Sequence, residues 1–239
     1  MKREELISWL KKDQNTFHPV IPFDPVKDTL CPMDFTEKNK QLTDEITADT
    51  AKFTSYINNK LTAAGATYGI GGYAEHRVVY GRSELFGSAQ IEGGEEPRRL
   101  HLGTDIWGKP HTRVMSPLDG VIHSFAFNNR FGDYGTTVIL AHSFHGGCFF
   151  TLYGHLGLNS IKNMEEGDKV EQGDVFAEFG IPAENGHWPP HLHFQLIIDI
   201  GEWKGDYPGV CKFSEKEQYL ENSPDPDLIL QLNRYLLSR

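Results

Sequence analysis

The sequence predicts a mainly β fold, with an all-β sandwich or barrel-like core. A helical extension precedes this core, and a C-terminal helix follows it. Between residues 68 and 210, short β-forming runs such as "TTVILAH" and "CFFTLYGHL" alternate with glycine-containing turns, which is typical of all-β domains. The flanking segments instead carry apolar residues at helical spacing. We therefore predict three regions: an N-terminal helical and loop extension at 1–67, the β domain at 68–210, and a C-terminal tail helix at 211–239.

The extension contains two predicted helices. The first spans residues 1–12, where leucine, isoleucine and tryptophan side chains form one apolar side. A proline-bearing loop follows, and the second helix, either continuous or broken, is predicted from about Asp34 to Ala64, where the Gly65 region ends it. In the tail, "PDPDLILQLNRYLLSR" predicts a closing helix, because its apolar residues fall on one face: Leu228, Leu232, Tyr235 and Leu236.

Composition and charge exclude several classes of function. Of the 239 residues, 38% are hydrophobic and 23% are charged, as in soluble globular proteins. The formal net charge is −10 and the sequence has no cluster of lysine and arginine, so we expect no nucleic-acid partner. Because no run of 18 apolar residues occurs, we expect no membrane span.

The cysteines and the N-terminus bear on the cellular compartment. Cys31, Cys148 and Cys211 are far apart and odd in number, and they form no CxxC pair, so we expect no disulfide framework. The stretch "MKREELISWLKKDQ" mixes charges of both signs and has no apolar segment of signal-peptide length. Together these features predict reduced thiols and a cytoplasmic location.

Two histidines open the run "HLHFQLIID", which follows a double proline. Its β-formers predict a strand, in which His191, His193 and Gln195 point to one face and apolar residues to the other. Two steps of about 3.3 Å separate the imidazoles by roughly 6–7 Å. Both can then reach one ion, or one binds the ion while the other contacts its water. A half-exposed strand face that carries two histidines is the alternative, since short motifs give many false matches.

Three further residues complete a set suited to a metal. His101 lies four residues before Asp105, and His155 lies in "LYGHLGL". Zinc prefers imidazole nitrogen and carboxylate oxygen, and a catalytic zinc takes three protein ligands and one open position. Helical spacing would place His101 and Asp105 on one face, but Gly103 and Thr104 between them favour a strand and loop. A turn-capping role is the alternative for Asp105.

The motifs "HLGTD", "YGHL" and "HLHF", in this order, resemble the signature of the lysostaphin-type (LytM-like) zinc endopeptidases. The resemblance covers roughly residues 73–199 and includes "SPLDGVI" and "GDKVEQGDVFAEFG". It implies an antiparallel β-sheet core, a duplicated hybrid motif whose halves resemble lipoyl-type hammerheads. It also implies a Zn²⁺ cofactor and the hydrolysis of a peptide substrate, with glycyl bonds and peptidoglycan-type peptides as the substrate classes.

The resemblance also assigns roles to single residues. By position in the motifs, His101, Asp105 and His193 correspond to the zinc ligands. His155 and His191 correspond to the two catalytic histidines, which orient the water, stabilise the oxyanion and pass a proton to the leaving amine. The alternative function is a peptide- or partner-binding module on the same fold without catalysis.

Other stretches resemble one branch of this family, found attached to class III aminotransferase and kinase-like domains. They include "GGYAEHRVVYGRS" and "NGHWPPHLHFQL". Members of that branch look intracellular, which puts peptidoglycan in doubt more than it puts hydrolysis in doubt. In the wider family, segments ahead of the core can cross the groove and donate a zinc ligand. The candidates here are Asn58, Asn59, Glu75 and His76, and a packing role for the extension is the alternative.

A few polar residues allow two interpretations each. Arg77 is a candidate to bind a substrate carboxylate, with a surface salt bridge as the alternative. His142 and His145 predict either a second metal pair or polar residues at a hairpin end. His187 lies either at the cleft entrance or in an ordinary loop.

Overall fold

The computed structural model describes residues 3–87 and 96–236, which form one large β-sheet, two small sheets and several short helices. The strands in these residues are β1 (Leu30–Met33), β2 (Tyr68–Gly71), β3 (Arg98–His101), β4 (Thr104–Trp107), β5 (Arg113–Met115), β6 (Gly120–Asn128), β7 (Gly135–Phe144), β8 (Gly147–Leu156), β9 (Lys169–Val170), β10 (Val175–Glu178), β11 (His191–Ile197) and β12 (Val210–Lys212). The large sheet has the order β1-β2-β4-β11-β8-β7-β6-β9, while β10 pairs with β5 and β12 with β3. The predicted mainly β fold is confirmed.

Helices lie at both ends of the described chain. They are α1 (Arg3–Lys12), α2 (Asp44–Ala48), α3 (Thr50–Ala64), α4 (Lys216–Asn222), α5 (Asp227–Leu230) and α6 (Asn233–Leu236). Short 3-10 helices occur at Gln14–Thr16, Val79–Arg82, Glu84–Phe86, Leu158–Ile161 and Phe213–Glu215. In the described residues, no helix combines the length and the apolar character that crossing a membrane requires.

The predicted second helix of the extension is wrong in its first part. Residues 34–43 form a loop, in which the Asp34 carboxylate accepts from the Thr36 N–H at 2.8 Å. Such local bonds from side chain to backbone compete with helix formation. Further along, the Asp49 carboxylate caps α3 by accepting two backbone N–H groups, and Gly65, with φ of +59°, ends it as predicted.

The single closing helix predicted for the tail is also wrong. The described part of this region, residues 211–236, begins within β12 and then carries three short α-helices, α4, α5 and α6. The chain breaks between α5 and α6 at Gln231, whose φ is +50°. There the Asp227 carboxylate accepts the N–H groups of Leu232 and Asn233, which satisfies donors that a continuous helix would have used.

The extension is part of the sheet and of the core. Strand β1 runs parallel to β2, with Leu30 opposite Tyr68, whereas every other strand pair in the described residues is antiparallel. Leu6 and Leu10 of α1 are fully buried in the same hydrophobic cluster as Phe194 of β11. The packing alternative for the extension therefore matches the structure, while the division into three regions stays a prediction.

Strand β11 lies between β4 and β8 in the middle of the large sheet, and its register positions the site. His193 lies opposite Asp105 of β4 on one side and Gly154 of β8 on the other. The predicted alternation holds, because Phe194 and its apolar neighbours on β11 point into the main core. The opposite face of β11 carries the histidines, which places them beside the carboxylate of β4.

Candidate metal centre

Three side chains from three strands meet at one buried point. His101 ends β3, Asp105 lies in β4 and His193 lies in β11. His101 Nε2 is 2.9 Å from His193 Nδ1, and Asp105 Oδ1 is 3.2 Å and 3.1 Å from these two nitrogens. All three residues are at most 3% exposed. They form a compact triangle of one oxygen and two nitrogens.

The hydrogen bonds of the two rings indicate where their protons are. His101 Nδ1 lies 3.0 Å from the Gly72 carbonyl oxygen, and His193 Nε2 lies 2.9 Å from Gln195 Oε1. Because both partners are acceptors, these nitrogens carry the N–H groups. His101 Nε2 and His193 Nδ1 are then unprotonated and direct lone pairs at each other and at a carboxylate oxygen.

Three acceptors this close, with no proton between them, fit a bound cation. Four ligands at about 2.0–2.1 Å around a tetrahedral zinc ion are separated by about 3.3–3.4 Å, slightly more than the 2.9–3.2 Å found here. Imidazole nitrogen and carboxylate oxygen are zinc ligands. The second nitrogen of each ring is hydrogen-bonded, as in most histidine metal ligands. The triangle can therefore supply three ligands to one zinc ion.

The electrostatics of the triangle agree with this protonation. Burial is the main cause that lowers the pKa of His101 to about 4, so the ring is neutral near pH 7. Burial alone would raise the pKa of Asp105, but its favourable electrostatic contacts, among them the ion pair with Arg77, outweigh burial and hold the pKa well below its usual range. Ionised carboxylate and neutral imidazole are the forms that bind metals.

Glycine at position 103 allows this triangle to form. A Cβ atom on Gly103 would lie 2.5 Å from Cε1 of His193 and 2.8 Å from the Phe194 carbonyl oxygen. A larger residue would therefore displace the His193 ring. The glycine of the "HLGTD" motif thus has a steric role in addition to favouring a loop between His101 and Asp105.

The other two predicted histidines lie beside the triangle. The ring centroids of His155 and His191 are 4.1 Å apart, and those of His155 and His193 are 6.3 Å apart. His155 Nδ1 bonds the Asn185 carbonyl at 2.9 Å, and His191 Nδ1 bonds the Pro189 carbonyl at 2.7 Å. Each Nδ1 is therefore the protonated nitrogen, and each Nε2 keeps a lone pair for chemistry.

Backbone and stacking fix the two rings. His155 has a positive φ of +63°, which is uncommon for a residue with a side chain. Its N–H donates to the Tyr134 carbonyl and its own carbonyl accepts from the Gly180 N–H, both at 2.9 Å. His191 stacks on Trp107, with ring centroids 3.9 Å apart. Burial holds the pKa of His155 well below its ordinary value and lowers that of His191 to about 4, so both rings are neutral near pH 7.

The site opens into a cavity of about 210 Å³. Asp105, His155, His191 and His193 lie in its wall. Aromatic rings form much of the remainder: Tyr80, Phe86, Trp107, Tyr134, Trp188, Trp203 and Tyr207. Its charged lining residues, apart from Arg77 and Asp105, are Arg98, Arg130, Asp133 and Asp206. Aromatic rings and charged groups thus line the cavity together, so it can accept both apolar and polar parts of a bound molecule.

All five residues predicted for the site come together, but the candidates for an added ligand do not join them. Asn58 and Asn59 are exposed on α3, and His76 is exposed and contacts Phe213. Glu75 binds Arg77 at 2.7 Å. Among the described residues, the group that could hold a metal contains only the three residues of the triangle. The structure thus groups neither Glu75 nor His76 with the triangle, and ligand donation from Asn58 or Asn59 stays a prediction.

The structure also gives the surroundings of Arg77, His142, His145 and His187, for which the sequence allowed two interpretations each. Arg77 is buried rather than in a surface salt bridge, and its Nη1 binds Asp105 Oδ2 at 2.5 Å. His142 is buried in β7 and bonds Thr151, while His145 lies at the hairpin turn, so they form no metal pair. His187 is exposed in a loop, where its ring lies near Phe131.

Sequence reasoning missed the residues that support the triangle. Gln195 was recognisable as a candidate, because it lies on the same strand face as His191 and His193. The role of Arg77 had no such signal, because its contact with Asp105 depends on how distant segments of the chain meet.

Comparisons with known proteins concern mainly the segment that carries the site. Residues 99–204 match the model of Peptidase family M23. An L-Ala--D-Glu endopeptidase of Bacillus subtilis (strain 168) is 32% identical over 150 residues, which cover 59% of this chain and 43% of that protein. The chain thus spans less than half the length of this relative. These matches support the M23 peptidase family for the segment.

Two solved peptidase structures are also similar to this chain. The catalytic domain of the antimicrobial peptidase lysostaphin from Staphylococcus simulans is 20% identical, with a TM-score of 0.38, over 70% of this chain and 96% of that one. A zinc containing peptidase from Vibrio cholerae is 24% identical, with a TM-score of 0.34, over 42% of this chain and 28% of that one.

Proposed function

We propose that this chain, with its M23-type segment, is a zinc-dependent metalloendopeptidase. The observation that carries the proposal is the buried triangle of His101 Nε2, Asp105 Oδ1 and His193 Nδ1, at 2.9–3.2 Å from one another. Their lone pairs and negative charge, gathered beside a cavity, are the arrangement that a catalytic zinc ion requires. The match to Peptidase family M23 supports the same conclusion.

The chain's own residues supply the proton transfers. When bound, zinc would polarise the scissile carbonyl and lower the pKa of water. His155 and His191 present unprotonated Nε2 atoms at the cavity wall, since each Nδ1 is engaged with a backbone carbonyl. One of these Nε2 atoms takes a proton from the attacking water, and the resulting N–H returns a proton to the leaving amine.

The substrate is a peptide, and the candidate classes are glycyl and peptidoglycan-type peptides. The similarity to an L-Ala--D-Glu endopeptidase supports the second class. The resemblance to the aminotransferase-linked branch supports a cytoplasmic location and an intracellular peptide. Both the location and the branch are proposals that rest on the sequence.

Hydrolysis can be tested with a panel of short peptides read by mass spectrometry. The panel contains glycine-rich peptides, peptides with an L-Ala–D-Glu bond, and ordinary L-peptides of the same length. We expect the zinc-loaded protein to cleave at least one class, a chelator to abolish cleavage, and added zinc to restore it. Binding of a peptide without cleavage by the zinc-loaded protein would favour the binding module instead.

The two proton-transferring histidines can then be tested separately from the metal. We expect His155→Ala and His191→Ala to keep the metal and to lose cleavage by about a hundredfold or more. His187→Ala, at an exposed histidine outside the cavity lining, is the matched control and should cleave like the wild type. Loss of metal in His191→Ala would show that the roles of His191 and His193 are exchanged.

A further inference from the structure

Arg77 is a fully buried guanidinium at the back of the metal triangle. Only 2% of the residue is exposed, and it lies in the loop between β2 and β3. Its Nη1 binds Asp105 Oδ2 at 2.5 Å, its Nε binds Glu75 Oε2 at 2.7 Å, and its Nη2 binds the Gly72 carbonyl at 3.2 Å. All three nitrogens are thus bonded, and the group cannot turn to bind a substrate without breaking these contacts.

The two carboxylate oxygens of Asp105 have different partners, and Arg77 binds only one of them. Oδ1 lies in the triangle, 3.1–3.2 Å from the histidine nitrogens. Oδ2 faces the guanidinium instead. A carboxylate with both oxygens free can bind a metal through one oxygen or through both. Here one oxygen already has a charge-assisted hydrogen bond, which is among the stronger kinds of hydrogen bond.

The pocket around Arg77 is shaped for a planar guanidinium. The Phe35 ring lies 5.1 Å from the guanidinium carbon, a distance typical of cation–π contacts. A Cβ atom on Gly71 would lie 2.8 Å from Arg77 Nη2, so the absence of a side chain at position 71 makes room for the group. Lysine, with one ammonium group, cannot reproduce three separately directed bonds.

We propose that Arg77 is a positioning residue that makes Asp105 a one-oxygen metal ligand. The inference rests on the proposed function, because it takes the triangle to be a metal site. Arg77 holds Oδ2 away from the ion and fixes the plane of the carboxylate so that Oδ1 points into the triangle. Glu75 and the Gly72 carbonyl hold Arg77 in turn, and Gly72 also fixes the His101 ring. The loop at 72–77 therefore orients two of the three ligands.

The test compares Arg77→Lys and Arg77→Met with the wild type in the full chain. Arg99→Lys is the matched control, since Arg99 is also buried but bonds only backbone carbonyls in the described residues. The readouts are the dissociation constants for Zn²⁺ and the visible absorption of the Co²⁺-loaded proteins, whose bands report the number of coordinating atoms. Circular dichroism and a cooperative melt show which variants are folded.

We expect both Arg77 variants to bind Zn²⁺ about 10–100-fold more weakly than the wild type, the range for lost support of a ligand. Their Co²⁺ spectra should shift toward a higher coordination number, as Oδ2 joins Oδ1. The control should match the wild type in both readouts. A folded Arg77→Lys with wild-type affinity and spectrum would overturn the proposal, because a single positive charge would then suffice.

A measurement on the wild type keeps the proposal testable if the variants do not fold. In a crystal structure of the zinc-loaded protein, we expect Asp105 to bind through Oδ1 alone, with Oδ2 on Arg77. A carboxylate bound through both oxygens would overturn the proposal. Failure of the wild type to bind any metal would instead overturn the proposed function, and this inference with it.

Discussion

The two histidines of the triangle present different ring nitrogens to it, Nε2 for His101 and Nδ1 for His193. The resemblance of the three motifs implies which residues meet but does not decide which nitrogen each one uses. That choice follows from the second partner of each ring, the Gly72 carbonyl for His101 and the Gln195 amide oxygen for His193. The orientation of Gln195 is fixed in turn, since its amide nitrogen donates to Ser223 Oγ at 3.0 Å.

Gln195 should therefore contribute to metal affinity although it does not reach the ion. In Gln195→Met, the His193 N–H loses its acceptor at 2.9 Å and keeps only the Tyr134 hydroxyl at 3.4 Å, so we expect Zn²⁺ binding to weaken about 10–100-fold. Calorimetric or competitive zinc titration measures this change. Gln172→Met is the control, because Gln172 bonds Thr16 and Pro117 away from the triangle. Equal zinc affinity in Gln195→Met and wild type would contradict this role.

Among the secondary-structure elements, the strands were predicted from the sequence more accurately than the helices. The alternation in "HLHFQLI" predicts both faces of β11, and the structure has the histidines on one face and the core residues on the other. Helix bounds were less predictable, because local hydrogen bonds from Asp34 and Asp227 interrupt stretches with helical spacing. The parallel pairing of β1 with β2 was also not predictable, because it joins residues far apart in the chain.

Helix α1 is expected to stabilise the whole fold rather than to cover the site reversibly. Leu10 is fully buried in the main core, so Leu10→Ala should lower the free energy of unfolding by about 2–5 kcal/mol. Ser8→Ala, at an exposed position of the same helix, should change it by less than about 0.5 kcal/mol. Denaturant melts of the two variants measure both values. A loss below about 1 kcal/mol in Leu10→Ala would mean that the extension is only loosely attached.

For the molecule as a whole, buried neutral histidines make stability depend on pH. His142 lies in β7, outside the triangle. Its Nδ1 donates to the Asp119 carbonyl, and its Nε2 accepts from the Thr151 hydroxyl. Burial is the main cause that lowers its pKa from 6.5 to about 4. The unfolded chain therefore binds a proton first as the pH falls. The contribution of His142 to stability is complete above pH 6.5 and is lost progressively down to about pH 4.

This dependence can be measured by replacing His142 with a residue that does not titrate. His142→Gln keeps one donor and one acceptor, and between pH 6.5 and 4 its free energy of unfolding should fall less steeply than that of the wild type. The difference in slope approaches about 1.4 kcal/mol per pH unit. Denaturant melts with a chelator present isolate the effect from metal binding. Identical slopes in the two proteins would show that His142 is protonated equally in the folded and unfolded chains.

The mainly β fold was predictable from local pattern, and the proximity of His101, Asp105, His155, His191 and His193 was predictable from the ordered motifs. The supporting contacts of the site were not, because Arg77 and Gly72 reach Asp105 and His101 only after the sheet has formed. The place of the extension in the core was likewise outside what sequence spacing could show. Interactions between distant segments thus account for most of what the sequence did not predict.

The most direct test of the proposed metal centre is the zinc content of the purified 239-residue chain, measured by elemental analysis after purification without chelators. We expect about one zinc ion per chain in the wild type. We expect Asp105→Ala and His193→Ala to have lost most of it, with His187→Ala unchanged as the control. A wild-type protein that holds no metal and cannot be loaded with zinc would contradict the metal centre, and so would full zinc content in both ligand variants.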